Sequence, residues 1–186
     1  MNASTAMVVI VALIVVGALV WASMRQRRST ALRRDFGPEY DRVMHERGSK
    51  GKAELELEKR QERIAKLHIR PLTPGERAHY AEQWRMEQVR FVDEPRDAVN
   101  RADRLVEEVM KLRGYPVADF EQRAADVSVD HPHLVDNYRR AHDIAMRNSR
   151  GQADTEDLRN AMISYRSLFE DLLEERPVVT DIRRAG

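Results

Sequence analysis

The sequence predicts an all-α protein, with an N-terminal transmembrane helix followed by a soluble helical bundle. Three observations carry that expectation. Residues 6–24, "AMVVIVALIVVGALVWASM", run without a charge, and no Asp, Glu, Lys or Arg occurs before residue 25. The rest of the chain is rich in Glu, Arg, Ala, Leu and Met and poor in Gly and aromatics, a composition typical of packed helices. Its apolar residues recur at spacings of three and four, and no alternating run reaches useful strand length.

At about 1.5 Å per residue, residues 6–24 make a helix of roughly 28 Å, close to the roughly 30 Å hydrocarbon core of a bilayer. Trp21 sits near its end, where an indole favours the headgroup zone. A secretory signal would open on basic residues and carry a shorter apolar core, whereas "MNASTA" offers only the α-amine. The small residues of "VWA" (20–22) would still permit a cut after Ala22, which would release an exported helical domain. The anchor is the preferred expectation. Arg25, Arg27, Arg28, Arg33 and Arg34 follow the run and nothing balances them before it. The positive-inside bias then puts the amino terminus outside and the C-terminal part in the cytoplasm, at the inner membrane of a bacterial cell. These five arginines are the candidate contacts to the membrane surface.

Residues 1–24 are read as the anchor and 25–52 as a basic juxtamembrane segment with a short helix and a flexible joint. Residues 53–176 form the helical bundle and 177–186 a loose tail. Pro38 fits the first turn of a helix to Arg47, because its missing N–H has no helical partner there. "RGSKGK" (47–52) reads as the joint. From Ala53 to Ile69 a charged helix turns Leu57, Ile64 and Leu67 inward, with Glu56–Arg60 and Glu62–Lys66 at the favourable i,i+4 spacing. Its thin apolar stripe suits a spacer or a pairing surface.

Thr73, Pro74 and Glu76 spell a capping box. The helix they open presents Tyr80, Trp84, Gln88 and Phe91 on one face, expected to pack against the final helix. The next begins around Pro95, buries Val99, Ala102, Val106, Val109 and Leu112, and stops at Gly114 with Pro116 behind it. A shorter helix spans 119–126. Another starts at Pro132 and buries Leu134 or Val135, Tyr138, Ala141 and Ala145. The last has Asp154 as cap, with Glu156 and Asp157 in its first turn. Leu158, Met162, Tyr165, Phe169 and Leu172 form its seam, and Pro177 ends it.

With 32 basic and 31 acidic residues the formal net charge is +1, without the basic excess of a general polyanion binder. Tyr138-Arg139-Arg140 and Tyr165-Arg166 lack a stacking platform, so no nucleic-acid partner is expected. Cysteine is absent, which removes disulfides, thiolate metal sites and a cysteine nucleophile. Glu76 and His79 form one Glu-x-x-His pair, but a di-iron bundle needs a second, and none exists. Asp130, His131 and His133, with His142 beyond them, read as a helix cap rather than ligands. No Gly-x-Ser-x-Gly elbow, Walker loop or His-Glu-x-x-His occurs. No metal, cofactor or catalytic residue is therefore expected. A metal-dependent bundle enzyme using Glu76, His79, His131 and His133 stands as the rival.

At "FGPEYDR" (36–42), "RGYPVADFEQRAADVSVDHP" (113–132) and "TEDLRNAMISYRSLF" (155–169), the chain resembles a family of uncharacterised bacterial single-pass membrane proteins with a helical C-terminal part. The likeness covers most of residues 32–175. It implies a bacterial source and carries no activity and no catalytic residue. The expected role is a membrane-anchored interaction or scaffolding module, held in the lipid bilayer through residues 6–24 and meeting a partner protein or a second copy.

Overall fold

A computed structural model describes residues 3–116 and 119–174, the side chains of 3–6 and 8–11 excepted. The described residues are all-helical, in eight helices: α1 (Ala3–Phe36), α2 (Pro38–Arg47), α3 (Lys50–Ile64), α4 (Pro74–Arg90), α5 (Pro95–Arg113), α6 (Phe120–Asp130), α7 (Val135–Ser149) and α8 (Thr155–Leu173). The chain divides within α3 into two compact units, residues 1–57 and 58–186. The tail expected at 177–186 lies outside the described residues, as do several side chains of the 6–24 run.

In the first unit α1 continues for three turns beyond the apolar run, so the basic segment 25–36 belongs to the same helix. Gly37, with φ 49°, breaks it, and Pro38 starts α2. Gly48 (φ 67°) closes α2, its N–H reaching the Met44 carbonyl at 3.1 Å. The joint expected over 47–52 shrinks to Gly48 and Ser49, and α3 takes up Lys50, Gly51 and Lys52. Leu32, Phe36, Tyr40, Val43, Ala53 and Leu57 are the buried apolar side chains of this unit. The Tyr40 hydroxyl donates to Glu54 at 3.0 Å. Among the described residues no helix is long and apolar enough to cross a membrane.

In the second unit α8 packs chiefly on α7 and α5, while α4 lies on α5 and reaches α8. The cap residues do what their chemistry suggests. The Glu76 N–H donates to the Thr73 hydroxyl at 3.3 Å and the Thr73 N–H to the Glu76 carboxylate at 2.8 Å. Asp154 and Asp157 repeat the box at the start of α8. The two reciprocal bonds satisfy N–H groups that a helix start leaves without partners. Trp84 stacks on Phe169 with centroids 4.7 Å apart, so the expected approach of α4 to the last helix is met by this residue. Gln88 instead faces solvent. The predicted seam of α8 is buried, as is that of α5 except Leu112, which is partly buried; among the described residues Tyr138 and Tyr165 are the largest side chains with no exposure at all.

α3 stops at Ile64, five residues short of the expectation, and loose turns carry Ala65, Lys66 and Leu67 onward. Its thin apolar stripe is supplemented by two arginines. Arg60 donates to Ser128 at 3.3 Å, and Arg63 grips one oxygen of the fully buried Asp126 at 2.7 and 2.6 Å. The spacer expected from composition thus docks on α6 through guanidinium groups, which bury their stems while bonding at the tip.

Candidate functional site

The most exposed feature of the molecule is α1 itself. Every side chain from residue 12 to residue 28 faces solvent. Leu13, Ile14, Leu19, Trp21 and Met24 are each about two-thirds exposed, and they point to different sides of the helix. Spaced about 100° apart per residue, these side chains leave no polar face between residues 12 and 22. A helix apolar all round is stable only where something apolar surrounds it.

The arginines that follow fall into two groups. Arg25 lies over the Trp21 indole, 5.3 Å from its centroid, in cation–π geometry. Arg27 and Arg28 are exposed in the same turn. Arg33 pairs with Asp41 at 3.2 Å and Arg34 with Asp35 at 3.1 Å. All five predicted membrane-surface residues are therefore on one helix, at different heights along it.

His79, His131 and His142 make side-chain contacts at separate places, whereas His45, His68 and His133 are exposed. His131 is buried, its Nδ1 held by the Asp171 carboxylate and its Nε2 3.5 Å from the Tyr115 hydroxyl. Tyr115 in turn donates to Asp130 at 2.7 Å. Burial, together with the charge and hydrogen bond of Asp130, pushes the Tyr115 phenol far up, so it remains a donor. His131 and Asp171 also line an open cleft of about 260 Å³, with His133, Ser167, Glu170 and Glu174 on its border. A Ser–His–Asp hydrolase would need the imidazole Nε2 at the serine. Here that nitrogen is beside Tyr115, and the contact of His131, which caps α6, with Asp171 ties the end of α6 to α8.

A second polar cluster centres on Asp103 of α5. Tyr165 donates to it at 2.7 Å, and His142 Nδ1 lies 3.6 Å away. Burial raises the Asp103 carboxyl, but the neighbouring His142 imidazole, the hydrogen bond from Tyr165 and the charge of Arg123 outweigh it, and the net shift is downward. His142 stacks flat on Phe120, centroids 3.6 Å apart. Arg123 donates to the Tyr138 hydroxyl at 3.3 Å; burial nonetheless pushes that phenol up to about 12.

The pair Glu76 and His79 is not brought to any second carboxylate–histidine set. Glu76 is clamped by Arg70 at 2.7 and 2.8 Å, and His79 contacts Gln83 at 2.8 Å. Among the described residues no group of three or more His, Asp and Glu side chains is placed to hold a metal ion. Sequence reasoning missed the Asp126, Arg60, Arg63 and Ser128 cluster; the only hint was two arginines three apart on a helix short of apolar residues. It also missed an outward apolar row at the end of α4, where Met86, Val89 and Val92 are exposed. Set against known proteins, the chain matches no family, and no curated protein or solved structure matches it either.

Proposed function

We propose that this chain is a bacterial single-pass membrane protein whose apolar run 6–24 anchors a helical interaction module. The amino terminus is outside and the C-terminal part cytoplasmic. One observation supports this most: residues 12–24 present apolar side chains on every side of an exposed helix. In water such a rod would gather another apolar surface, and a bilayer supplies one without a polar face. Helix α1 covers the whole run, 19 residues from Ala6 to Met24, and measures roughly 28 Å over it. That is close to the roughly 30 Å core.

In the module beyond it, four buried or half-buried titratable groups bond within the fold. His131, Asp171, Asp103 and Asp126 are each bonded to neighbouring helices. The exposed row Met86, Val89 and Val92 is the surface a partner protein would cover. The reading is tested by crosslinking in native membranes followed by purification through a tag after Gly186. A discrete crosslinked species, lost on Val89→Glu, is expected. Recovery of the chain from the soluble fraction alone would overturn it.

A further inference from the structure

Resting on the anchoring reading, we infer that Arg25, Arg27 and Arg28 form a binding collar for anionic phospholipid headgroups, from which Arg33 and Arg34 are excluded. The continuity of α1 through Phe36 makes the distinction possible, because height along one continuous helix can be counted. At about 1.5 Å per residue, Arg25, Arg27 and Arg28 stand about 1.5, 4.5 and 6 Å beyond Met24. The headgroup layer is roughly 5–7 Å deep on each face of a bilayer. All three Cα positions fall inside it. Arg33 and Arg34 stand about 13.5 and 15 Å out, beyond that layer.

The three inner arginines also surround the rod. Arg27 and Arg28 are turned about 200° and 300° from Arg25, so lipids on different sides each meet a guanidinium. Arg is suited to this because its planar fork donates two parallel hydrogen bonds to a phosphate. Trp21 sits one turn above Arg25 and carries it at 5.3 Å, an arrangement matched to the boundary between hydrocarbon and headgroups. The occupant is thus a phospholipid with net negative charge, and a zwitterionic lipid offers the same phosphate with an ammonium beside it.

The test uses the full chain carrying Trp84→Phe, which leaves Trp21 as the sole tryptophan of the two in the sequence. It is reconstituted in phosphatidylcholine vesicles with a trace of dansyl-labelled phosphatidylglycerol or dansyl-labelled phosphatidylcholine. Energy transfer from Trp21 reads which lipid borders the helix. Transfer favouring phosphatidylglycerol, weakening as salt is raised, is expected. Replacing Arg25, Arg27 and Arg28 by Gln together should cut that preference by about fivefold or more, and Arg33→Gln with Arg34→Gln should leave it unchanged. Equal transfer to both lipids in the parent, or an equal loss from the outer pair, would overturn the collar while leaving the anchor standing. No transfer to either labelled lipid would overturn the anchor and the collar together.

Discussion

Trp84 and Phe169 lie ring over ring, 4.7 Å between centroids and 22° between planes, and so fasten α4 to α8. Both side chains are buried. Truncating either to Ala removes about 3–5 kcal/mol, because the bundle cannot close over so large a void. A double-mutant cycle should return a coupling of about 0.5–1.5 kcal/mol for the stacked pair. Denaturant unfolding of the full chain in detergent, followed by near-ultraviolet circular dichroism, measures both. Additive losses would show that the rings merely fill space.

Gly114 is expected to be intolerant of any side chain. Its φ of 102° lies in the left-handed region, and an added Cβ would stand 2.6 Å from the His68 carbonyl oxygen. That carbonyl belongs to backbone held nearby: Arg70 N–H donates to the Arg113 carbonyl at 2.9 Å, and the Arg113 side chain reaches Arg70 and Leu172. Gly114→Ala should therefore cost more than about 1 kcal/mol, beyond the usual price of losing a glycine cap. A melting temperature equal to that of the parent would contradict the close approach.

Glu76 predicts an acid dependence. Its bonds to Arg70 and to the Thr73 N–H pull its carboxyl down to about 2 from an ordinary 4.5. A carboxylate with a depressed folded-state pKa adds stability that is complete above its unfolded value and disappears as pH falls through the folded one. The melting-temperature difference between the parent and Glu76→Gln should accordingly be largest near neutrality and shrink between pH 4.5 and pH 2. A difference independent of pH would mean that the carboxylate charge contributes nothing.

His131 and Asp171 should differ in their response to substitution. His131→Leu leaves the buried Asp171 carboxylate without its imidazole partner, a loss of about 1–3 kcal/mol. Asp171→Asn keeps an acceptor oxygen for the Nδ1–H and should cost less. Thermal melts of the two variants compare them directly, and the reverse order would contradict a structural role for the pair.

Local chemistry was legible in the sequence, and distant pairing was not. Thr73 with Glu76, Asp154 with Asp157, and Gly114 before Pro116 are signals spelled within a few residues, and each appears in the structure as written. The buried faces of α5 and α8 follow from their three-and-four spacing. By contrast Arg63 and Asp126 are 63 residues apart, and His131 and Asp171 are 40 apart. Nothing in the pattern of either segment names its partner. Arg60 reads as solvated by its type and is buried by its neighbours. The extension of α1 through Arg25–Phe36 was hidden for another reason: charged residues that end an apolar run need not end a helix.

Alkaline carbonate washing of native membranes tests the anchor most directly, because it strips peripheral proteins and leaves embedded helices in place. The chain should stay in the membrane pellet with residues 6–22 still attached, as read by mass spectrometry of its amino terminus. Release into the wash, or a mature amino terminus at Ser23, would show that the apolar rod is not a permanent span.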